Sequence, residues 1–240
     1  MESYHYDIDL PQFRDNDNYS DWYKNVDIGG FTFALVEAAK SLGIKGRCLD
    51  IGCGTGYFLF ELKKVLDVEP IGVDLHNNFI QKANQKAKSL NLSIVFKNEE
   101  ANNFIDKCKD KFNFVTGMSI GEALGTMTET IGKLRSVTLT NKYYAIGWTE
   151  KEKESNLLID TLTKYAQKEF YDNVKITKIE EDYFDPSKDI ERVENLITNK
   201  KNDNSDLVFK WGNERISSLK RMKPEKYLSV ILIFQKSNSK

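Results

Sequence analysis

The chain has 240 residues, 40% of them hydrophobic and 12% aromatic, enough to bury a sizeable core. Its formal net charge of −1 excludes the strong global field of a dedicated nucleic-acid binder. Three cysteines (Cys48, Cys53, Cys108) form no C-x-x-C pair and only two histidines exist, so neither a disulfide framework nor a His-based metal centre is expected. The acidic start "MESYHYDIDL" has no apolar signal segment, and the longest apolar run, "YLSVILIF" (227–234), is far short of a bilayer span. These features predict a cytoplasmic protein.

Residues 1–30 end in Gly29-Gly30 and are expected to form a helical or irregular lid. From residue 46 onward, short apolar runs alternate with helical patterns. Strands are predicted at 47–53, 70–75, 92–98, 112–118 and 143–148, with helices at 57–66, 77–90, 101–108 and 127–139 between them. Near-continuous apolar strands indicate a sheet covered on both faces, and the βαβ alternation predicts a doubly wound, mostly parallel α/β sheet. A helix over 153–170 follows, with Leu157, Leu158, Leu162, Tyr165 and Phe170 as its core positions. Strands at 174–184 and 227–235 close the chain. The polar stretch between them, with a helix at 189–197 and the lone Trp211, is expected to cover a substrate pocket (185–225) within a single domain.

The stretch "LDIGCGTG" (49–56) places Gly52, Gly54 and Gly56 where a strand stops and a helix starts. Such glycines permit positive φ and bring backbone close to a ligand, at which the helix aims its free N–H groups. The spacing is G-x-G-x-G, unlike the G-x-G-x-x-G of dinucleotide-binding enzymes. Asp50 at the strand end would repel a phosphate but suits an ammonium or hydroxyls. Asp74 closes the next strand, placed to accept from both ribose hydroxyls in the crevice of a doubly wound sheet. Together they describe a nucleoside carrying an amino group and no pyrophosphate.

This constellation resembles the class I S-adenosylmethionine-dependent methyltransferases over roughly residues 46–150. "LDIGCGTG" is similar to that family's first motif, "GVDL" (72–75) to its second, and "EANNF" (100–104) to its third. The resemblance implies S-adenosyl-L-methionine as cofactor and a seven-stranded sheet whose last strand is antiparallel. It also implies roles for particular residues: Gly52 and Gly54 at the methionyl part, with Asp50 near its amino group. Asp74 would hold the ribose, Glu100 and the Ala101 backbone would meet the adenine edge, and Met118 would lie beside the ring or methyl donor; Gly56 and Leu75 complete the cofactor-binding set. A solvated acidic pair with Glu99 is the other reading of Glu100.

Methyl transfer from a sulfonium needs alignment and exclusion of water more than acid–base groups. Ser119 and Glu122, after the fourth strand, are the polar groups expected to face an acceptor. Glu122 either orients or deprotonates it, or else caps the next helix or faces water. Tyr19, Trp22 and Tyr23 in "NYSDWYKN" (18–25), Trp148 after the fifth strand, and Trp211 are candidates for the substrate pocket. No Asn-Pro-Pro-Tyr, Pro-Cys or strand-four metal aspartate occurs, so no metal is expected. The reading is methyl transfer to a small-molecule O, N or C acceptor by in-line displacement. Transfer to RNA or protein, a dehydrogenase, and a non-catalytic S-adenosylmethionine-binding protein remain as alternatives; the lysine-rich stretch 199–226 is the one basic patch that would meet a polyanion.

Overall fold

The structure is a computed structural model that describes residues 29–118, 120–184, 186–199, 213, 216–217, 220–221 and 225–238. Its elements run α1 (Gly29–Ser41), β1 (Gly46–Ile51), α2 (Tyr57–Val65), β2 (Val68–Asp74), α3 (Asn77–Ser89), β3 (Val95–Asn98), α4 (Ala101–Lys107) and β4 (Phe112–Met118). A 3-10 turn (Gly121–Leu124) follows, then α5 (Met127–Ser136), β5 (Thr138–Lys151), α6 (Glu152–Phe170), β6 (Asn173–Phe184), α7 (Pro186–Asn199) and β7 (Glu225–Gln235).

The seven strands form one sheet in the order β3-β2-β1-β4-β5-β7-β6. The first five pair in parallel, whereas β7 is antiparallel to both β5 and β6. The strand order reverses between β1 and β4, which makes the carboxyl ends of those two strands the switch point where ligands bind in open α/β sheets. Alternate strand residues feed two cores. On one face Cys48, Phe114, Ala145 and Ile231 pack with Leu35, Leu59 and Ala83 from α1, α2 and α3. On the other, Leu49, Val115, Ile146 and Leu232 pack with Phe104, Leu134 and Leu162 from α4, α5 and α6. Each Val, Leu, Ile or Phe among them contributes about 1.5–3 kcal/mol on leaving water, which is why the strands read as unbroken apolar runs.

Below the switch point, at the opposite edge of the sheet, Asp172 is 1% exposed and fully engaged. It accepts from Arg135 Nε at 2.9 Å, Tyr144 Oη at 2.7 Å and the Ser237 amide at 2.8 Å. The Tyr144 ring stacks on Phe234 at 4.8 Å, so this buried ion pair ties α5, β5 and the end of β7 together.

Several boundaries differ from the sequence reading. The Gly29-Gly30 pair opens α1 instead of ending an irregular segment. The remainder of the expected lid, residues 1–28, lies outside the described residues. The helix expected through 139 stops at Ser136, because β-branched Val137, Thr138 and Thr140 favour strand. Thr138 pairs with Phe112, and a register shift with Asn141 at φ 58° absorbs the mismatch before Tyr143 pairs with Phe114. The third strand begins at Val95, after a turn with Asn91 at φ 51°. In α6, Leu157 is 67% exposed and not a core residue; Leu162 and Ala166 carry the buried stripe. Of the expected cover segment, α7 is described and contains the helix at 189–197.

Candidate active site

The glycine loop joins β1 to α2 at the carboxyl edge of the sheet. All three glycines have positive φ: 71° at Gly52, 53° at Gly54 and 79° at Gly56. Their reasons for lacking a side chain differ. A Cβ on Gly52 would lie 2.6 Å from Ile120 Cγ2, and one on Gly56 would lie 2.5 Å from the Phe96 ring. Those two are glycines because the protein packs against them. At Gly54 a Cβ would meet none of the described atoms within 4 Å. The space over Gly54, open among the described atoms, is the loop's cradle. The loop is stitched to β2: the Gly52 and Cys53 amides donate to the Val73 carbonyl at 2.8 and 3.1 Å. The Gly54 amide donates to Asp74 Oδ2 at 2.9 Å. Cys53 packs inward toward Gly72, a filler and not a surface nucleophile.

Two carboxylates flank this cradle. Asp50 is 6% exposed, and Thr116 Oγ1 on β4 donates to its Oδ1 at 2.7 Å. Burial pushes the Asp50 carboxyl up to about 7; the Thr116 hydroxyl opposes that shift and the Asp74 charge adds to it. Asp74, 9% exposed, accepts on Oδ1 from the His76 amide at 2.8 Å and pairs there with His76 Nδ1 at 2.9 Å. His76, which by sequence either faces the cofactor or lies at the surface, is 21% exposed at its side chain and turned onto Asp74.

Leu75, next along, is 63% exposed, an uncovered apolar side chain beside the acid. Asn98 on β3 donates from Nδ2 to the Asp74 and Leu75 carbonyls at 3.1 and 2.7 Å, which holds this turn in place. Glu100 caps α4: Oε1 accepts from the Asn102 amide at 2.9 Å and Oε2 from the Asn103 amide at 2.8 Å. These amides, before any charge effect, hold its carboxyl below the ordinary value. Glu100 is therefore a helix cap and not a merely solvated acid. Ala101 is half-buried behind it. Lys133 on α5 donates to Asn102 and to the Leu124 carbonyl, while Asn102 Nδ2 donates to the Ala123 carbonyl at 2.9 Å. The turn after β4 is thus braced against the start of α4.

Met118 ends β4 half-buried, and Gly147 on β5 makes room for it: a Cβ there would lie 2.5 Å from Met118 Sδ and 3.1 Å from Phe31 Cε1. Trp148 does not wall a pocket. It is 8% exposed within the core shared with α5 and α6, because alternation along β5 turns it to the face opposite Gly147 and Met118. Among the described residues its indole Nε1 has no hydrogen-bond partner. Glu122 lies in the 3-10 turn, with its side chain outside the described set; Ser119, Tyr19, Trp22, Tyr23 and Trp211 lie outside the described residues altogether. Among the described residues no three His, Cys, Asp or Glu side chains gather as metal ligands.

Thr116 and Asn98 join the site without having been singled out from the sequence. Thr116 carries a signal, being the one hydroxyl in the buried strand "FNFVTGM" and level with Asp50 across the pairing of β4 and β1.

A family model described as "Methyltransferase domain" matches residues 44–200, more than half of the chain. The chain belongs to this family. No curated protein matches the methyltransferase. Solved structures share its fold. A SAM-dependent methyltransferase from Geobacter sulfurreducens in complex with S-adenosyl-L-homocysteine superposes with TM-score 0.61 at 15% identity, covering 85% of this chain and 90% of that one. A SAM-dependent methyltransferase from Thiobacillus denitrificans, also with S-adenosyl-L-homocysteine, gives 0.60 at 15% identity, with 85% and 90% covered. Geranyl diphosphate C-methyltransferase from Streptomyces coelicolor A3(2), in complex with Mg2+, geranyl diphosphate and S-adenosyl-L-homocysteine, gives 0.53 at 14% identity, with 85% and 80% covered. The seven-stranded sheet with β7 antiparallel is the architecture that the sequence motifs imply.

Proposed function

We propose that this methyltransferase takes its methyl group from S-adenosyl-L-methionine and transfers it to an O, N or C atom of a small molecule. The observation that carries the reading is the open space over Gly54, with the buried carboxyl of Asp50 on β1 and with Asp74 bonded to the Gly54 amide. A nucleoside with an ammonium group fits each part. Asp50 is a buried carboxylate suited to an ammonium, Asp74 accepts from ribose hydroxyls, and exposed Leu75 offers an apolar face to a flat base. When bound, S-adenosyl-L-methionine supplies a methyl group on a positively charged sulfur, which makes it electrophilic. The chain's own part is to hold and align: the Gly54 amide fixes Asp74, Thr116 fixes Asp50, and Lys133 with Asn102 fixes the turn after β4. Alignment of this kind is the main lever for a displacement that needs little acid–base help.

A small acceptor is favoured by the chain's formal charge of −1, which gives a polyanion no strong overall positive field. The structural neighbour bound to geranyl diphosphate is an instance of this fold acting on a small molecule. Calorimetry with S-adenosyl-L-homocysteine tests the donor, and micromolar binding is expected. A metabolite extract incubated with methyl-labelled donor tests the acceptor. Label appearing in a small-molecule fraction supports the reading; label appearing only in RNA or protein overturns it.

A further inference from the structure

Asp74 is already crowded. Its carboxylate takes three N–H donors among the described residues: the Gly54 amide at 2.9 Å on Oδ2, and on Oδ1 the His76 amide at 2.8 Å and the His76 imidazole at 2.9 Å. A carboxylate offers about four lone-pair positions. If Asp74 also receives the two hydroxyls of a ribose, as the proposed function holds, five donors compete for four places. One donor has to leave.

Two of the three are fixed by backbone. The Gly54 amide sits in a loop whose neighbours Gly52 and Cys53 both bond to the Val73 carbonyl. The His76 amide stands at the entry of α3, where its own carbonyl accepts from the Phe79 and Ile80 amides at 3.1 and 3.2 Å. Only the imidazole turns on a single bond. It is 21% exposed, and its sole described ring neighbour is Phe79 at 5.2 Å. No cap bond to the α3 amides needs it, for the helix has no side-chain cap there.

We propose that the His76 imidazole is an exchangeable substitute for one ribose hydroxyl: it satisfies Asp74 in the free protein and swings off when a nucleoside diol arrives. This inference rests on the donor reading above. A ligand with both hydroxyls displaces the imidazole, whereas one with a single hydroxyl takes the fourth place and leaves His76 where it is.

The test uses the full chain and S-adenosyl-L-homocysteine. With only His5 and His76 in the sequence, imidazole nitrogen resonances of the labelled protein report His76 directly. Saturation with S-adenosyl-L-homocysteine is expected to abolish the hydrogen-bonded Nδ1–H signature of one histidine. His76→Phe keeps a ring on Phe79 without a donor and is expected to bind about fivefold tighter, since no bond need break. His76→Asn, which keeps a donor, should bind within twofold of the parent. Unchanged His76 resonances at saturation, or weaker binding by His76→Phe, overturn the exchange. The donor reading would survive either result. Failure of the parent chain to bind S-adenosyl-L-homocysteine overturns the donor reading itself, and this inference with it.

Discussion

The Gly54 amide and the Asp74 carboxylate meet at 2.9 Å, joining the loop after β1 to the end of β2. One carboxylate thereby sets the shape of the glycine loop and offers the site's principal hydrogen-bond acceptor. Asp74→Ala removes both functions. S-adenosyl-L-homocysteine affinity is expected to fall about 100-fold, the scale of two charge-assisted hydrogen bonds. Calorimetry on the folded variant checks it, and unchanged affinity would remove Asp74 from the site.

Gly54 and Gly56 separate binding from folding. Gly54→Val finds space for its side chain but is held at φ 53°, where a β-branched residue is strained. It is expected to fold with a loss of about 1–2 kcal/mol and to bind no S-adenosyl-L-homocysteine, because the valine fills the cradle. Gly56→Val drives its side chain into Phe96 and is expected to lower the melting temperature far more. Equal thermal losses in the two variants would contradict the assignment of the open space.

Much of this was readable before any coordinates. Strands covered on both faces betray themselves as apolar runs, and a glycine cluster between strand and helix has few explanations, so β1, β2 and the loop stand out at once. Relationships between distant residues were not readable. Thr116 bonds Asp50 from 66 positions away, and a lone threonine in a strand is ordinary until the β4–β1 register is known. Trp148 was misplaced for the same reason: its position at the sheet's functional edge is visible, but which face it takes depends on the strand's register. The helix α1 hides behind Gly29-Gly30, a pair that ordinarily breaks structure and here begins it.

Asp50 makes stability depend on pH. Its carboxyl titrates at about 7 in the folded protein against an ordinary 3.8. The folded state therefore holds the proton that the unfolded state has released. Its contribution is fully favourable below about pH 4 and is lost as pH rises through 7, a swing on the order of 4 kcal/mol at most. Asp50→Asn is expected to be more stable than the parent at pH 8 and to show a flatter profile between pH 5 and 8 in urea titrations. If the two profiles run parallel, Asp50 does not titrate there. The parent's gain from S-adenosyl-L-homocysteine should grow over the same interval, as an ionised Asp50 meets the ligand's ammonium.

Glu100 is expected to matter twice. Glu100→Ala leaves the Asn102 and Asn103 amides uncapped and should cost about 1 kcal/mol of stability. Glu100→Asp, a shorter residue well suited to capping, should restore that stability. If Glu100 also meets the adenine edge, affinity will fall in both variants; if affinity follows stability alone, Glu100 is a cap and nothing more.

Asp172 tests the opposite edge. Asp172→Ala strands Arg135 and the Tyr144 hydroxyl in the interior and should cost about 3–5 kcal/mol. Binding of S-adenosyl-L-homocysteine, measured at a temperature where the variant is folded, should be unaffected.

The threading of β7 between β5 and β6 bears on how the chain is made. During synthesis β6 emerges before the strand that joins it to the sheet, since its sheet neighbour is β7, some forty residues further on. A nascent chain complete through Phe184 exposes the bare edge of β5, with its unpaired amides and carbonyls open to any passing strand. The first five strands and the glycine loop can assemble as they leave the ribosome, but closure waits on residues 225–235. Ribosome-bound chains halted between residues 185 and 224 should therefore be the aggregation-prone and chaperone-dependent form of this protein.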